Sequence, residues 1–220
     1  PTIQIIIPCL NCLLKILAAS LYACPALEVD IQLTVLSHHS AVGAVGINPN
    51  VIVGDCDSIS LQLKEKFADR IYHIEEQDDN DLTKTVRYLQ QKGMKSFAIL
   101  GATGKREDHT LGNISLLLEY MRSGLNVKMF TDYGCFIPCN GNTSFACNPG
   151  QQISIFSFGA TNFGSEGLVY PLFDFNALWQ VIVKISHTKF NNSPVFVLNG
   201  TISAIVAIAQ IPKYFLAFSK

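Results

Sequence analysis

Strand-like apolar runs alternate with helical patterns through the first 132 residues, and this alternation constrains the fold more than any other feature. The predicted strands are residues 3–7, 31–36, 51–53, 70–74, 97–100 and 127–131. The predicted helices between them are residues 11–22, 61–68, 82–91 and 111–122. Strands that are joined by crossover helices form a parallel sheet with helices on its faces. We therefore expect an α/β domain over residues 1–132.

The pattern changes after residue 132, where glycine and proline separate short runs that favour strands. Residues 152–158 alternate between apolar and polar, and residues 195–198 and 202–208 are rich in β-branched side chains. Helical periodicity is scarce in this half. These features predict an all-β second domain, a sandwich or barrel, over residues 133–220. The expected fold class is thus α/β, a parallel-sheet domain followed by an all-β domain.

Composition narrows the class of partner and the compartment. The formal net charge of the 220 residues is -1, which argues against nucleic acid as the main partner. The seven cysteines are an odd number without a regular spacing, which favours a reduced, cytoplasmic compartment. The apolar stretch over residues 5–27 is interrupted by Pro8, Lys15 and Pro25. We expect a buried strand and a helix there, with no membrane association.

Residues 101–113, with the sequence GATGKREDHTLGN, join a predicted strand to a predicted helix. Glycines at such a turn let the backbone approach a ligand, and the helix N-terminus offers free N–H groups to phosphate. Lys105 and Arg106 add positive charge. The segment is not a Walker A loop, since Arg106 stands where Ser or Thr should follow the lysine. It nevertheless predicts a phosphate site.

Four side chains of this segment have alternative roles. Arg106 could fork onto a polyphosphate. Asp108 could orient Arg106 or bind a metal through water. His109 fits a structural hydrogen bonder better than a base, and Asn113 could reach back to a ligand from one turn into the helix.

Two aspartates, Asp55 and Asp57, follow the predicted strand 51–53 in the sequence GDCDS. In a turn, both carboxylates can reach one hard cation such as Mg²⁺. The alternative is that Asp55 caps a turn and Asp57 caps the next helix. Asp81 and Asp108 are expected at the same edge of the sheet, where four carboxylates would repel one another without a cation. We therefore favour a metal site.

A third polar segment, residues 77–84 with the sequence QDDNDLTK, opens the predicted helix 82–91. Asp78, Asp79 and Asn80 are capping candidates, and Asp79 is expected to be merely solvated. Asp81 and Lys84 are three residues apart and share a helix face. They form either a surface ion pair of little energetic value or a site in which Asp81 binds metal and Lys84 binds phosphate.

The three segments, in this order, match the patterns G-D-x-D-S, Q-D-x-x-D-x-x-K and G-x-x-G-x-R-x-D-H-x-L-x-N. Together with residues 167–172, they resemble the thiamine pyrophosphokinase family from about residue 43 to residue 179. The resemblance implies an α/β nucleotide-binding domain followed by a β-sandwich that helps to bind thiamine. It implies Mg²⁺ ligands at Asp55, Asp57 and Asp81; ATP or phosphate contacts at Gln77, Lys84, Arg106, His109 and Asn113; thiamine contacts at Ser157 and Trp179; and catalytic roles for Asp55, Asp57, Asp81, Arg106 and Asp108.

The implied activity is transfer of the diphosphoryl group of ATP to the hydroxyl of thiamine, which gives thiamine diphosphate and AMP. Asp81 or Asp57 is the best candidate for the general base. The implied assembly is a homodimer whose active sites are shared between the chains.

This chain departs from the family after the second strand, where Leu36 and Ser37 replace an expected Asp-Gly pair. The departure favours an alternative, a non-catalytic protein that binds nucleotide or thiamine on the same scaffold. A second alternative reads Asp55 and Asp57 as the D-x-D of a nucleotide-sugar transferase. The segment 77–84 and the β-rich second half argue against it.

Overall fold

The computed structural model describes residues 2–7, 30–36, 48–57, 59–103, 106–146, 152–157, 161–168, 195–201 and 203–209. In its first half the strands are β1 Thr2–Ile7, β2 Asp30–Leu36, β3 Val51–Gly54, β4 Ile71–His73, β5 Ser96–Leu100 and β6 Asn126–Phe130. The helices are α1 Leu61–Lys66, α2 Asp81–Gln91 and α3 Glu107–Arg122, with a 3-10 turn at Ala68–Arg70. In the second half the strands are β7 Gly134–Asn140, β8 Thr143–Ala146, β9 Ile153–Ser157, β10 Thr161–Glu166, β11 Val195–Thr201 and β12 Ser203–Ala209.

Nine of the described strands form one sheet in the order β4-β3-β2-β1-β5-β6-β7-β12-β9. The pairs from β4 to β6 are all parallel, whereas those from β6 to β9 are antiparallel. The strand order reverses direction at β1 and β5, so a crevice is expected beyond their carboxyl ends. The α/β class is confirmed. A boundary at residues 132/133 stays a prediction, and sheet hydrogen bonding continues across it.

A second sheet of three described strands, β10-β11-β8, shares an apolar core with the antiparallel part of the first. Buried side chains from both sheets meet there: Cys139, Phe145, Ile153, Ile155, Leu168, Leu198, Val206 and Ile208. Strands β7, β8 and β10 contain fewer β-branched residues than β11 and β12, and their individual bounds were not predicted from the sequence.

The larger core lies between the first sheet and the helices. Helix α2 packs against β2 and β3 because Leu82, Val86 and Leu89 recur on one face and are each 2% exposed. Helix α3 packs against β6, β7 and β12, so its buried face, which includes Leu117, also contacts strands from the second half. One helix therefore covers both the parallel and the antiparallel part of the sheet.

Most predicted element bounds agree with the structure to within a few residues, but α3 begins at Glu107, four residues before its predicted start. Glu107 and Asp108 occupy its first turn, where negative charge is favoured by the helix dipole. The predicted helix 11–22 lies outside the described residues. No helix in the described part of the chain has the length and hydropathy needed to cross a membrane.

Thr85 Oγ1 has no hydrogen-bond partner among the described residues, although Thr85 is 0% exposed. We expect Thr85→Val to raise the free energy of unfolding by about 1 kcal/mol, since a buried hydroxyl without a partner is costly and valine keeps the shape. Thr85→Ser is the control, because it keeps the hydroxyl and loses only the methyl group. It should lower the free energy of unfolding in urea titration. A destabilised valine variant would show that the hydroxyl has a partner.

Candidate functional site

The three polar segments all follow strands of the parallel part of the sheet. Residues 55–57 follow β3, residues 74–80 join β4 to α2, and residues 101–106 join β5 to α3. Because β3, β4 and β5 are parallel, their carboxyl ends lie at one edge of the sheet. The fold thus brings the three segments to the edge at which ligands bind in sheets of this kind.

The loop after β3 has an unusual backbone that fixes both aspartates. Gly54 has a φ of 145°, and Cys56 adopts the left-handed region with a φ of 59°. The Asp57 N–H donates to Asp55 Oδ1 at 3.2 Å, so Asp55 closes the turn as one interpretation expected. The expectation that Asp57 caps the next helix is wrong, because the N-cap of α1 is Ser60. Asp57 is left exposed at the sheet edge.

Carboxylates from two segments act on the buried thiol of Cys56. Burial raises the pKa of this thiol, the negative charges of Asp55, Asp81 and Asp57 raise it further, and Lys64 opposes them. The charges of all three aspartates are therefore felt at this thiol. Among the described side chains, however, no three His, Cys, Asp or Glu form a ready-made metal cluster. The structure does not gather the three predicted ligands into a complete coordination shell.

Lys84 is the most unusual charged residue of the site. It is only 2% exposed, and its Nζ lies 3.8 Å from Asp81 Oδ1, whose side chain is 17% exposed. The alternative of a surface ion pair is therefore wrong, because the Lys84 side chain is buried. A lysine that is buried in this way is costly to desolvate. This burial makes Lys84 a candidate for binding an anionic ligand.

Arg87 on α2 forms ion pairs with two acidic residues of the segment that precedes the helix. This guanidinium donates to Asp79 Oδ2 and to Glu76 Oε2. The expectation that Asp79 is merely solvated is wrong, because it pairs with a residue two turns along the helix. Gln77 and Asp78, between the two acids, are exposed.

Arg106 and Asp108 form a two-point pair at the start of α3. Arg106 Nε donates to Asp108 Oδ1 at 3.1 Å, and Nη2 donates to Asp108 Oδ2 at 2.5 Å. The hydrogen bond from Arg106 is the main cause of a lowered pKa at Asp108. Asp108 therefore stays ionised at neutral pH and orients Arg106, as one interpretation expected. His109, in the same turn, is exposed.

Asn113 links two of the segments. Its Nδ2 donates to Ala102 O at 2.9 Å, and its Oδ1 accepts from Asn80 Nδ2 at 3.3 Å. Asn80 is also the N-cap of α2, with Oδ1 accepting from the Thr83 N–H at 2.8 Å. Asn113 thus contacts protein groups in this structure. The linking role of Asn80 was missed from the sequence, where it was only one of three capping candidates.

Leu36, which stands where the family pattern has aspartate, is the last residue of β2 and pairs with Val53 of β3. It therefore lies at the carboxyl edge, beside the loop that carries Asp55 and Asp57. The departure from the family pattern therefore falls next to this loop.

Ser157 lies at the end of β9, buried, at the far edge of the nine-stranded sheet. Four strand spacings separate β9 from β5, which corresponds to roughly 19 Å along the sheet. The structure therefore does not bring Ser157 to the segment that follows β5 in the same chain. Trp179, the other predicted thiamine contact, lies outside the described residues.

Comparison with known protein families identifies the family of the chain. Residues 31–129 match the family model "Thiamin pyrophosphokinase, catalytic domain", and residues 134–184 match "Thiamin pyrophosphokinase, substrate-binding domain". The chain belongs to the thiamin pyrophosphokinase family. All three polar segments lie within the catalytic-domain match, so the family resemblance predicted from the motifs is confirmed.

Curated relatives of this family align over part of the chain. Thiamin pyrophosphokinase 1 of Caenorhabditis elegans is 37% identical over 81 residues, which are 34% of this chain and 33% of the relative. Thiamine pyrophosphokinase of Bacillus subtilis (strain 168) is 34% identical over 88 residues, 38% of this chain and 41% of the relative. The aligned region thus spans less than half the length of these relatives.

Solved structures of the family share the fold over almost the whole chain. Thiamine pyrophosphokinase from Bacillus subtilis has a TM-score of 0.74 at 20% identity, covering 96% of this chain and 99% of that one. Thiamin pyrophosphokinase from Candida albicans has a TM-score of 0.75 at 15% identity, covering 96% and 89%. At these identities the likeness concerns the fold.

Proposed function

We propose that the chain is an ATP-dependent thiamine diphosphokinase, which transfers a diphosphoryl group to the hydroxyl of thiamine and releases AMP. The buried Lys84 beside Asp81 carries this proposal. An ammonium group held out of water at the carboxyl edge of a parallel sheet suits a polyphosphate. The match to the catalytic-domain model supports an enzyme over the non-catalytic alternative.

The roles of the residues follow from their placement. Lys84 binds phosphate as a point charge. Asp108 orients the guanidinium group of Arg106, which donates hydrogen bonds to phosphate oxygens. Gln77, His109 and Asn113 complete the ATP contacts. Phosphoryl transfer requires positioning and charge neutralisation more than covalent catalysis. Asp57, which is exposed at the sheet edge, or Asp81 accepts the proton of the thiamine hydroxyl.

We propose Mg²⁺ as the metal, held by one or two of Asp55, Asp57 and Asp81 together with ATP oxygens and water. The donors fit, since Mg²⁺ prefers a few carboxylates and substrate phosphates to an all-protein cage. Bound there, the ion would neutralise charge on the transferred group.

We propose that the chain is divided into an α/β nucleotide-binding domain, residues 1–132, and a β-sandwich thiamine-binding domain, residues 133–220. The distance of Ser157 from β5 supports a homodimer in which Ser157 and Trp179 of one chain serve the nucleotide site of the other. A reduced, cytoplasmic location accords with Cys56 and Cys135, which carry no disulfide.

The reaction type is tested by the nucleotide that is released. Purified protein with Mg-ATP and thiamine should yield AMP and thiamine diphosphate in equal amounts, measured by chromatography, because the diphosphoryl group moves as a unit. ADP as the sole nucleotide product would reject the proposed reaction. Binding of ATP or thiamine without turnover would instead support the non-catalytic alternative.

A further inference from the structure

Arg87 closes a short loop ahead of helix α2. Its Nη1 lies 3.1 Å from Glu76 Oε2, and its Nη2 donates to Asp79 Oδ2. The other oxygen of the Glu76 carboxylate accepts from the Asp79 N–H at 2.8 Å. Three contacts thus fasten both ends of residues 76–79, and Arg87 anchors them to the helix. Gln77 and Asp78 form the tip between the fastened ends.

The contacts of Arg87 order the loop but contribute little to the stability of the whole fold. The side chains of Arg87, Glu76 and Asp79 are 51%, 33% and 32% exposed, and surface ion pairs of this kind add little to global stability. A loop that is already held in place, however, loses less conformational entropy when its tip binds a ligand. The expected benefit of Arg87 is therefore in ligand binding.

We propose that Arg87 is a positioning residue for ATP: it holds the loop 76–79 so that Gln77 is presented to the nucleotide, without contacting the nucleotide itself. This inference rests on the proposed function, in which Gln77 binds ATP. Arg87 lies outside the segment 77–84, in which the resemblance implied ligand contacts for Gln77, Asp81 and Lys84. Arg87 lies three residues after Lys84 on α2, and its side chain is half-exposed, whereas that of Lys84 is buried.

The test compares Arg87→Gln, which removes the charge and the fork, with Arg87→Lys, which keeps the charge alone. In Arg87→Gln we expect the KM for ATP to rise about fivefold, with kcat within about twofold of the wild type, because only the ordering of the loop is lost. The KM of Arg87→Lys for ATP should lie between those of the wild type and of Arg87→Gln. Arg122→Gln is the matched control, since it removes an exposed arginine from the last turn of α3 and should leave the KM unchanged.

A second readout does not depend on activity. Amide hydrogen exchange of the Asp79 N–H should be faster in Arg87→Gln than in the wild type, while exchange within β5 stays the same. If the protein proves to bind ATP without turnover, the Kd for ATP measured by calorimetry replaces the KM and should rise about fivefold. An unchanged KM or Kd, unchanged exchange at Asp79, or a fall in kcat alone would overturn the proposal.

Discussion

Lys84→Met is expected to lower kcat/KM by about a hundredfold or more, the usual size of an effect when one group that stabilises transition-state charge is removed. The protein should still fold. Methionine fills a similar volume, and the loss of one partner of an ion pair is strongly destabilising only where the other charge is left buried without compensation. Asp81, left without the ammonium group, remains partly exposed and lies in the first turn of α2, where the helix dipole favours it.

Lys92→Met is the matched control for this variant. Lys92 is the C-cap of the same helix, exposed, and away from the carboxyl edge of the sheet. Steady-state kinetics and urea titration of both variants separate the two roles of Lys84. Wild-type kcat/KM in Lys84→Met would reject phosphate binding by Lys84, and unfolding of that variant would indicate a structural role for the buried pair.

Asp57→Asn is expected to lower turnover by about a hundredfold and to raise the Mg²⁺ concentration needed for half-maximal activity, because the amide keeps the shape and loses the charge. The melting temperature should not change, since Asp57 is exposed and does not cap α1. Asp69→Asn, at an aspartate whose side chain is 78% exposed, is the control. Full activity of Asp57→Asn across a magnesium titration would reject the metal assignment.

The same variant tests whether active sites are shared between two chains. If Asp57 of one chain works with Trp179 of the other, inactive Asp57→Asn and Trp179→Ala proteins have complementary defects. In a mixed dimer one site receives both altered residues and the other receives none. Random subunit exchange should therefore restore up to about a quarter of wild-type activity. Exchange that is proven by mass spectrometry but restores nothing would mean that each site is built within one chain.

Local signals in the sequence were enough to predict elements whose own residues determine their ends. Helix α2 was predicted from residue 82 and begins at Asp81, because Asn80 is a good N-cap and Gly93, with a φ of 82°, ends the helix. Helix α3 was placed four residues too late, because Arg106 at its N-cap makes no side-chain capping bond and carries no start signal. Such a helix start is determined by the surrounding structure.

The residues of the candidate site were also partly predictable from local signals in the sequence. The three segments could be found from residue types and spacing, since strand ends in a parallel sheet meet at one edge. The burial of Lys84 could not be found in this way, because it depends on the packing around α2 in three dimensions. The partners of Asp79 and Asn113 likewise depend on distances between elements that the sequence does not contain.

The turn between β6 and β7 joins the two halves of the protein more firmly than a linker would. Thr131 closes it by donating its N–H to Gly134 O at 2.8 Å, and α3 lies across the strands on both sides. Without the second half, β6 would be an edge strand with unpaired backbone groups, and Met129 and Phe130 would become more exposed. Exposed edge strands of this kind can pair with other chains and aggregate. The two halves of this chain are therefore not expected to fold as independent units, and the protein should melt in one cooperative transition.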